Sequence, residues 1–172
     1  MALRMPQATA AITLAQLEIA PAQVAHRDRM ARLLYRLLGE IPGIVPEPVP
    51  EEVDVLSPWM VAFSLAPGAF RCPADAFAER CAAEGIPGIG TARYYLLPEA
   101  LPFLGAAAEA GRYPFSRPPA SRAHRYGPET CPEARAYLDR WIRWSTFCEK
   151  YQPEHCEQAA AIVRRVAEAS RA

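Results

Sequence analysis

Apolar residues recur at helical spacing near both ends of the chain, and a short run between them has the composition of a strand. From Thr9 to Leu38 the sequence reads as helix, interrupted once. The first piece, Thr9 to Ile19, is rich in Ala, Leu and Gln, residues with high helix propensity. Pro21 ends or kinks it and fits the first turn of the next helix, where a missing N–H costs nothing. In that second piece Met30, Leu33, Leu34, Leu37 and Leu38 fall at i, i+3, i+4, i+7 and i+8, a single apolar stripe. Arg27, Asp28, Arg29, Arg32 and Arg36 lie mostly off the stripe and read as a solvated face. Gly39 and Pro42 supply the stop. At the other end, Pro153 to Ala169 predicts a closing helix. Ala159, Ile162, Val163 and Val166 face inward, and Glu154, Glu157, Arg164 and Arg165 face water.

Between these helices the pattern is shorter and more broken. Residues 42–58 hold five prolines and predict an extended connector, because proline fixes φ and donates no hydrogen bond. Trp59 to Leu65 predicts a strand, closed by the turn pair Pro67-Gly68. Pro73 to Glu84 predicts a helix with Phe77 and Cys81 on one face and Gly85 as its stop. Residues 86–97 predict strand, turn and strand, with the glycines Gly85, Gly88 and Gly90 making the turn. Residues 101–132 predict a long ordered loop with aromatic anchors, 132–140 a short helix and 141–146 a short strand. The expected fold is α+β: a small antiparallel sheet from residues 59–65, 86–97 and 141–146, covered by helices and preceded by a helical arm. The expected division is a helical arm at 1–41, a proline-rich connector at 42–58 and a small α+β domain at 59–172.

Composition narrows the function. Lys+Arg and Asp+Glu both number 19 in 172 residues, so there is no basic excess to displace counterions from nucleic acid or anionic lipid. No apolar run reaches the about 18–20 residues of a membrane span, and the first residues have no apolar signal core, so a cytoplasmic protein is expected. Five cysteines without regular spacing fit reduced thiols better than a disulfide framework. Only one basic residue is a lysine, Lys150, so Schiff-base chemistry has a single candidate here.

The remaining chemistry is sparse. Cys148, His155 and Cys156 form a metal-like cluster, but none is paired at the spacing of structural zinc sites. His155 and Cys156 diverge by about 100° on a helix, so Cys148 and Cys156 read as small buried apolar residues and no metal is expected. No local signature supports a Cys–His nucleophile. Gly85-Ile-Pro-Gly88-Ile-Gly90 lacks the spacing of a phosphate-binding loop and reads as a turn. Tyr94-Tyr95 and Tyr113-Pro-Phe115 read as packing aromatics that can line a pocket.

Several segments, in order along the chain, resemble the C-terminal part of the DegT/DnrJ/StrS-type pyridoxal-phosphate sugar aminotransferases. Arg4-Met5, Ala10-Ala11-Ile12 and Leu14-Ala15-Gln16-Leu17-Glu18 are similar to that family's "RM…QAAI.LAQLE" helix, and Ile41-Pro42-Gly43-Ile44 to its "IPGI". Phe77 to Ile86 resembles its "L..EGI" turn, and Tyr94, Leu97, Pro98, Pro102 and Phe103 its "Y..PL…P.F" segment. Pro114-Phe115-Ser116, Tyr126 and Cys131-Pro132-Glu133-Ala134 resemble the "PFS…Y…CP.AE" of a subgroup, and Ala161 to Val166 the terminal "AI.KV". The resemblance implies the small domain that follows the first helices of a fold-type I aminotransferase. It places the catalytic lysine, the cofactor's aspartate and most phosphate ligands in a large domain ahead of this region. It therefore implies no catalytic residue and no bound cofactor for this chain alone, and pyridoxal phosphate for the complete enzyme.

By the same resemblance Arg4 corresponds to a contact with the cofactor of a neighbouring subunit, although Ala2 and Leu3 stand where the family has Asn and Tyr. Tyr94 and Glu99 fall on substrate-facing positions, Glu99 where the family often has His or Tyr. The implied partner is an aminotransferase large domain or a second copy, met through residues 5–38. The competing reading is a non-catalytic interaction protein derived from the same fold.

Overall fold

In the computed structural model, residues 4–91, 96–118 and 126–172 are described, apart from the side chains of Pro98, Glu99 and Pro128. The elements in order are α1 (Gln7–Gly39), β1 (Ile44–Pro46), β2 (Val61–Leu65), α2 (Ala74–Ala83), β3 (Ile89–Gly90), α3 (Leu97–Ala100), α4 (Pro102–Glu109), α5 (Pro132–Leu138), β4 (Trp141–Trp144) and α6 (Pro153–Ser170), with a 3₁₀ turn at Pro128–Thr130. The strands form one antiparallel sheet in the order β1-β2-β4-β3. Val61 pairs with Trp144 and Phe63 with Ile142, so these four share one face. Against that face pack Met30, Ala31, Leu34 and Leu38 of α1, Phe77, Ala78 and Cys81 of α2, and Cys156, Ala159, Val163 and Val166 of α6. Phe77, fully buried, meets Phe63 edge-on at 6.5 Å and Phe70 at 5.2 Å. The fold is the expected α+β class.

Four local readings change. Residues 7–39 form one helix, with Pro21 inside it. The carbonyl left without its i+4 donor is that of Leu17, which is 61% exposed, so water can take the place of the lost bond. The connector contains β1 despite its prolines. The carbonyl of Gly43 and the N–H of Glu47 bond to the chain of β2, so the nitrogen of Pro46 points away from the sheet at an edge where no donor is needed. Gly85 and Gly88 join α2 to β3 and do not separate two strands. Ile86 between them is buried under the helices instead of pairing, and Leu97 opens α3. The rest of the strand expected at 86–97, residues 92–95, lies outside the described residues. Finally, α4 occupies part of the expected loop, with Pro102 at a helix start and three consecutive alanines behind it.

Two glycines are fixed by what surrounds them. Gly43 (φ +88°) would press a Cβ against the ring of Phe70 at 2.8 Å. Gly88 (φ +69°) would set one 2.4 Å from Thr146 Cγ2. Thr146 cannot swing aside cheaply, because its hydroxyl donates to the carbonyl of Pro87 (2.6 Å) and accepts from Trp144 Nε1 (3.0 Å).

A polar collar ties the middle of α1 to two loops. His26 Nε2 donates to the carbonyl of Tyr151 (2.7 Å) and Arg27 pairs with Glu149 (2.7 Å). Asp28 accepts from the N–H of Leu56 (2.8 Å) and pairs with Arg32 (2.7 Å), which also donates to the carbonyl of Val53. Burial of Asp28 opposes ionisation, but Arg32, the Leu56 N–H and Arg29 outweigh it and hold the carboxyl below its usual value. Its own backbone N–H and Arg27 do the same for Glu149.

Three outcomes follow. Leu34→Ala should lower unfolding stability by about 2–5 kcal/mol, the range for truncating a buried leucine, whereas Leu17→Ala should change it little; denaturant titration reads both. Gly88→Ala should cost about 1–3 kcal/mol through strain at Thr146. Because Asp28 and Glu149 ionise more readily folded than unfolded, the collar's contribution is complete above the ordinary carboxylate range. It is lost as pH falls through the folded values, so acid should loosen residues 53–58 against α1 by hydrogen exchange.

Candidate functional site

The residues singled out for chemistry do not converge. Lys150 is exposed in the turn after β4, beside Glu149, whose carboxylate is engaged by Arg27. Cys156 is fully buried, with its Sγ 3.7 Å from the carbonyl of Met30, and burial pushes its thiol up to about 11. Burial pushes Cys81 up to about 12. Cys148 is only half-buried, unlike the buried role expected for it. His155 serves structure: its Nδ1 accepts the N–H of Gln152 at 3.0 Å and so caps α6. Among the described residues no three His, Cys, Asp or Glu side chains are gathered to hold a metal ion. Arg4 is exposed just ahead of α1. Tyr94 lies outside the described residues, and Glu99 lies in α3 with its side chain outside them. Tyr113 is exposed, while Phe115 meets Tyr126 edge-on at 5.8 Å.

A cleft of about 180 Å³ opens between the Gly85–Pro87 turn and α6, lined by Trp144, Tyr151, His155, Gln158 and Ile162. It is smaller than the about 300 Å³ at which small-molecule sites begin. Beside it Phe147 stacks on Tyr151 at 5.4 Å, and Trp144 meets both rings edge-on at 5.8 and 4.9 Å.

The prominent feature is the exposed half of α1. Ile12, Leu14 and Leu17 are each more than 60% exposed, and Met5 and Ile19 are also open. They do not form one stripe. Ala8, Ile12, Ala15 and Ile19 follow each other at helical spacing on one side, and Ala10, Leu14, Leu17 and Pro21 do so about 180° away. The polar residues Gln7, Thr9, Thr13, Gln16 and Glu18 fall between. A helix apolar on two opposite sides is built to be covered from both. Trp59, 73% exposed at the end of the connector, adds a further open aromatic. The collar marks where this half leaves the body. In the sequence His26 carries no signal and Arg27 and Asp28 read as part of a solvated face; their partners at 53–58 and 149–151 have no signal in local spacing. No described helix is long and apolar enough to cross a membrane.

The architecture is shared with solved aminotransferases. 3-Amino-5-hydroxybenzoic acid (AHBA) synthase matches with a TM-score of 0.66 and 23% identity, over 94% of this chain and 38% of that one. The aminotransferase TlmJ from Streptoalloteichus hindustanus matches at 0.61 and 18% identity, over 94% and 36%. A protein from Streptococcus pneumoniae, Spr1654, provisionally described as a sugar aminotransferase and solved in a PLP form, matches at 0.66 and 16%, over 96% and 36%. This chain thus spans well under half the length of each. No curated protein matches its sequence. Residues 1–126 match the sequence pattern of the DegT/DnrJ/EryC1/StrS aminotransferases, and the chain belongs to that family.

Proposed function

We propose that these 172 residues are the small-domain portion of a pyridoxal-phosphate-dependent sugar aminotransferase. They work in the cytoplasm with a lysine-bearing large domain, whether joined to them or separate. The observation that carries this reading is the pairing of a complete small-domain core with a projecting helix apolar on two sides. The residues described do not fit the cofactor: it needs a lysine in a protected pocket, and Lys150 stands in an exposed turn. Pyridoxal phosphate, the electron sink for amino transfer, is accordingly assigned to the large domain.

In the complete site, Arg4 contacts the cofactor of the neighbouring subunit, and Tyr94 and Glu99 face the substrate. Residues 1–41 act as the bridging arm, 42–58 as the connector and 59–172 as the small domain. The partner, a large domain or a second copy, covers the exposed first half of the 5–38 segment, since Met30, Leu34 and Leu38 are already buried in this chain's own core. Balanced charge leaves little electrostatic resistance to such association. A non-catalytic interaction protein built on the same fold is the alternative, favoured by the exposed helix alone.

Mixing the chain with a lysine-containing large domain from this family tests the reading. The expected result is a stable complex that transfers an amino group to a keto sugar; a complex without transfer supports the interaction protein, and no complex overturns both. Leu14→Glu with Leu17→Glu should abolish association or raise the monomer fraction in sedimentation, with the far-ultraviolet spectrum of the body unchanged. Pyridoxal phosphate added to the isolated chain should give no lysine-bound absorbance that disappears in Lys150→Ala. Alkylation at pH 8 should spare Cys81 and Cys156 until unfolding and reach Cys148 in the native state.

A further inference from the structure

The two apolar sides of the free half of α1 differ in kind. On one of them Ala8, Ile12, Ala15 and Ile19 follow at steps of four, three and four residues, the spacing of a heptad seam. Ile12 and Ile19 take its a positions, and Ala8 and Ala15 its d positions. All four are exposed, Ile12 at 66% and Ile19 at 45%. A seam of this spacing stays in contact with another helix along its whole length.

The sizes select the occupant and its direction. Reversing a helix exchanges its three- and four-residue steps, so in an antiparallel pair an a position meets a d position. Each layer of two such seams then holds one isoleucine and one alanine. Ile12 lies against Ala15 of a second copy, Ile19 against its Ala8, and the same two layers recur across the twofold axis. The seam is thus complementary to itself, as a twofold contact requires. A parallel pair would stack isoleucine on isoleucine and alanine on alanine, in layers of unequal width, and would crowd both bodies at one end.

Charge agrees with the antiparallel direction. Glu18 is the one charged residue between Gln7 and Ala25, and it stands beside the seam at a g position. In this register it comes level with Thr9 of the second copy. That first helical turn has no acidic residue and no side-chain cap, and Arg4 precedes it. A carboxylate there meets unpaired N–H groups and the positive end of the helix. On the other flank Thr9 lies beside Gln16 of the second copy, both uncharged. The overlap, residues 7–20, stops short of His26, where the Tyr151 turn closes this side of the helix. The opposite side is less suited to a close helix, because the Leu17 carbonyl left without a donor by Pro21 would lose its water.

We propose that α1 forms an antiparallel twofold contact with a second copy of this chain through Ala8, Ile12, Ala15 and Ile19, and leaves the Leu14 and Leu17 side for the large domain. The assignment rests on the reading of the arm as a surface to be covered, and adds which partner takes which side. Two helical strips about 20 Å long and about 10 Å wide bury roughly 700 Å² in total. Stable interfaces begin near about 1,200 Å², so the isolated chain should pass between monomer and dimer with concentration.

Sedimentation equilibrium of the full chain, from tens to hundreds of micromolar, reads the association. Isotope-filtered NMR on a mixture of labelled and unlabelled chain reads the contact. The wild type should dimerise, with cross-peaks from the Ile12 methyls to Ala15 of the other copy and from Ile19 to its Ala8. Ile12→Glu with Ile19→Glu should weaken the dimer by about tenfold or more. Leu14→Glu with Leu17→Glu should release the large domain alone and leave the copies paired. Glu18→Lys should weaken the dimer about two- to fivefold at each end, and less in high salt. A wild type that stays monomeric over this range overturns the proposal. So do cross-peaks joining like residues, the mark of a parallel pair, or a dimer that Leu14→Glu with Leu17→Glu breaks. None of these results bears on amino transfer, which the mixture with a large domain decides separately.

Discussion

The second half of α1 against α6 and the sheet is the contact on which the other parts depend. Leu34 and Leu38 enter the same apolar layer as Ile142, Val61 and Val163, and Cys156 of α6 lies against the backbone of Met30. A small four-stranded sheet whose apolar face lay bare would not survive in water. Here α1, α2 and α6 share that face, and the chain's last residues are tied back as well, with the N–H of Arg71 donating to the carbonyl of Ser170. One helix therefore serves two purposes. Its C-terminal turns complete a core, and its N-terminal turns stand outside it with apolar side chains on two sides.

How much of this was legible in the sequence depended on how local the cause was. The stripe Met30, Leu34, Leu38 and the pattern of α6 could be read because helical periodicity directly reports a buried face. Strand β1 was hidden by Pro46, whose tolerance there rests on an edge position that only the pairing with β2 defines. Helix α4 was masked by the prolines that follow it. Its alanines carry helix propensity, but a mixed Pro and Gly context outweighed them in the reading.

The site was less legible than the fold. The ordered motifs located the family, and the match over residues 1–126 agrees with them. Helical spacing within the predicted Thr9–Ile19 piece already sets Ile12 and Ile19 opposite Leu14 and Leu17; what the motifs could not show is that this piece runs unbroken through Pro21 into the helix that enters the core.

The collar at His26, Arg27 and Asp28 has a mechanical side. Residues 7–25 extend about 28 Å beyond it, at 1.5 Å of rise per residue. A rod of that length fixed at one end magnifies whatever happens at the fixture: a tilt of about 10° at the collar carries the tip about 5 Å, roughly one helical turn. Whatever covers Ile12 and Leu14 therefore meets surfaces whose placement is set by three side chains far from the contact. The grip of those side chains on residues 53–58 and 149–151 becomes the setting of an angle. Exchanges in either loop, with no surface of their own in the complex, would re-aim the rod.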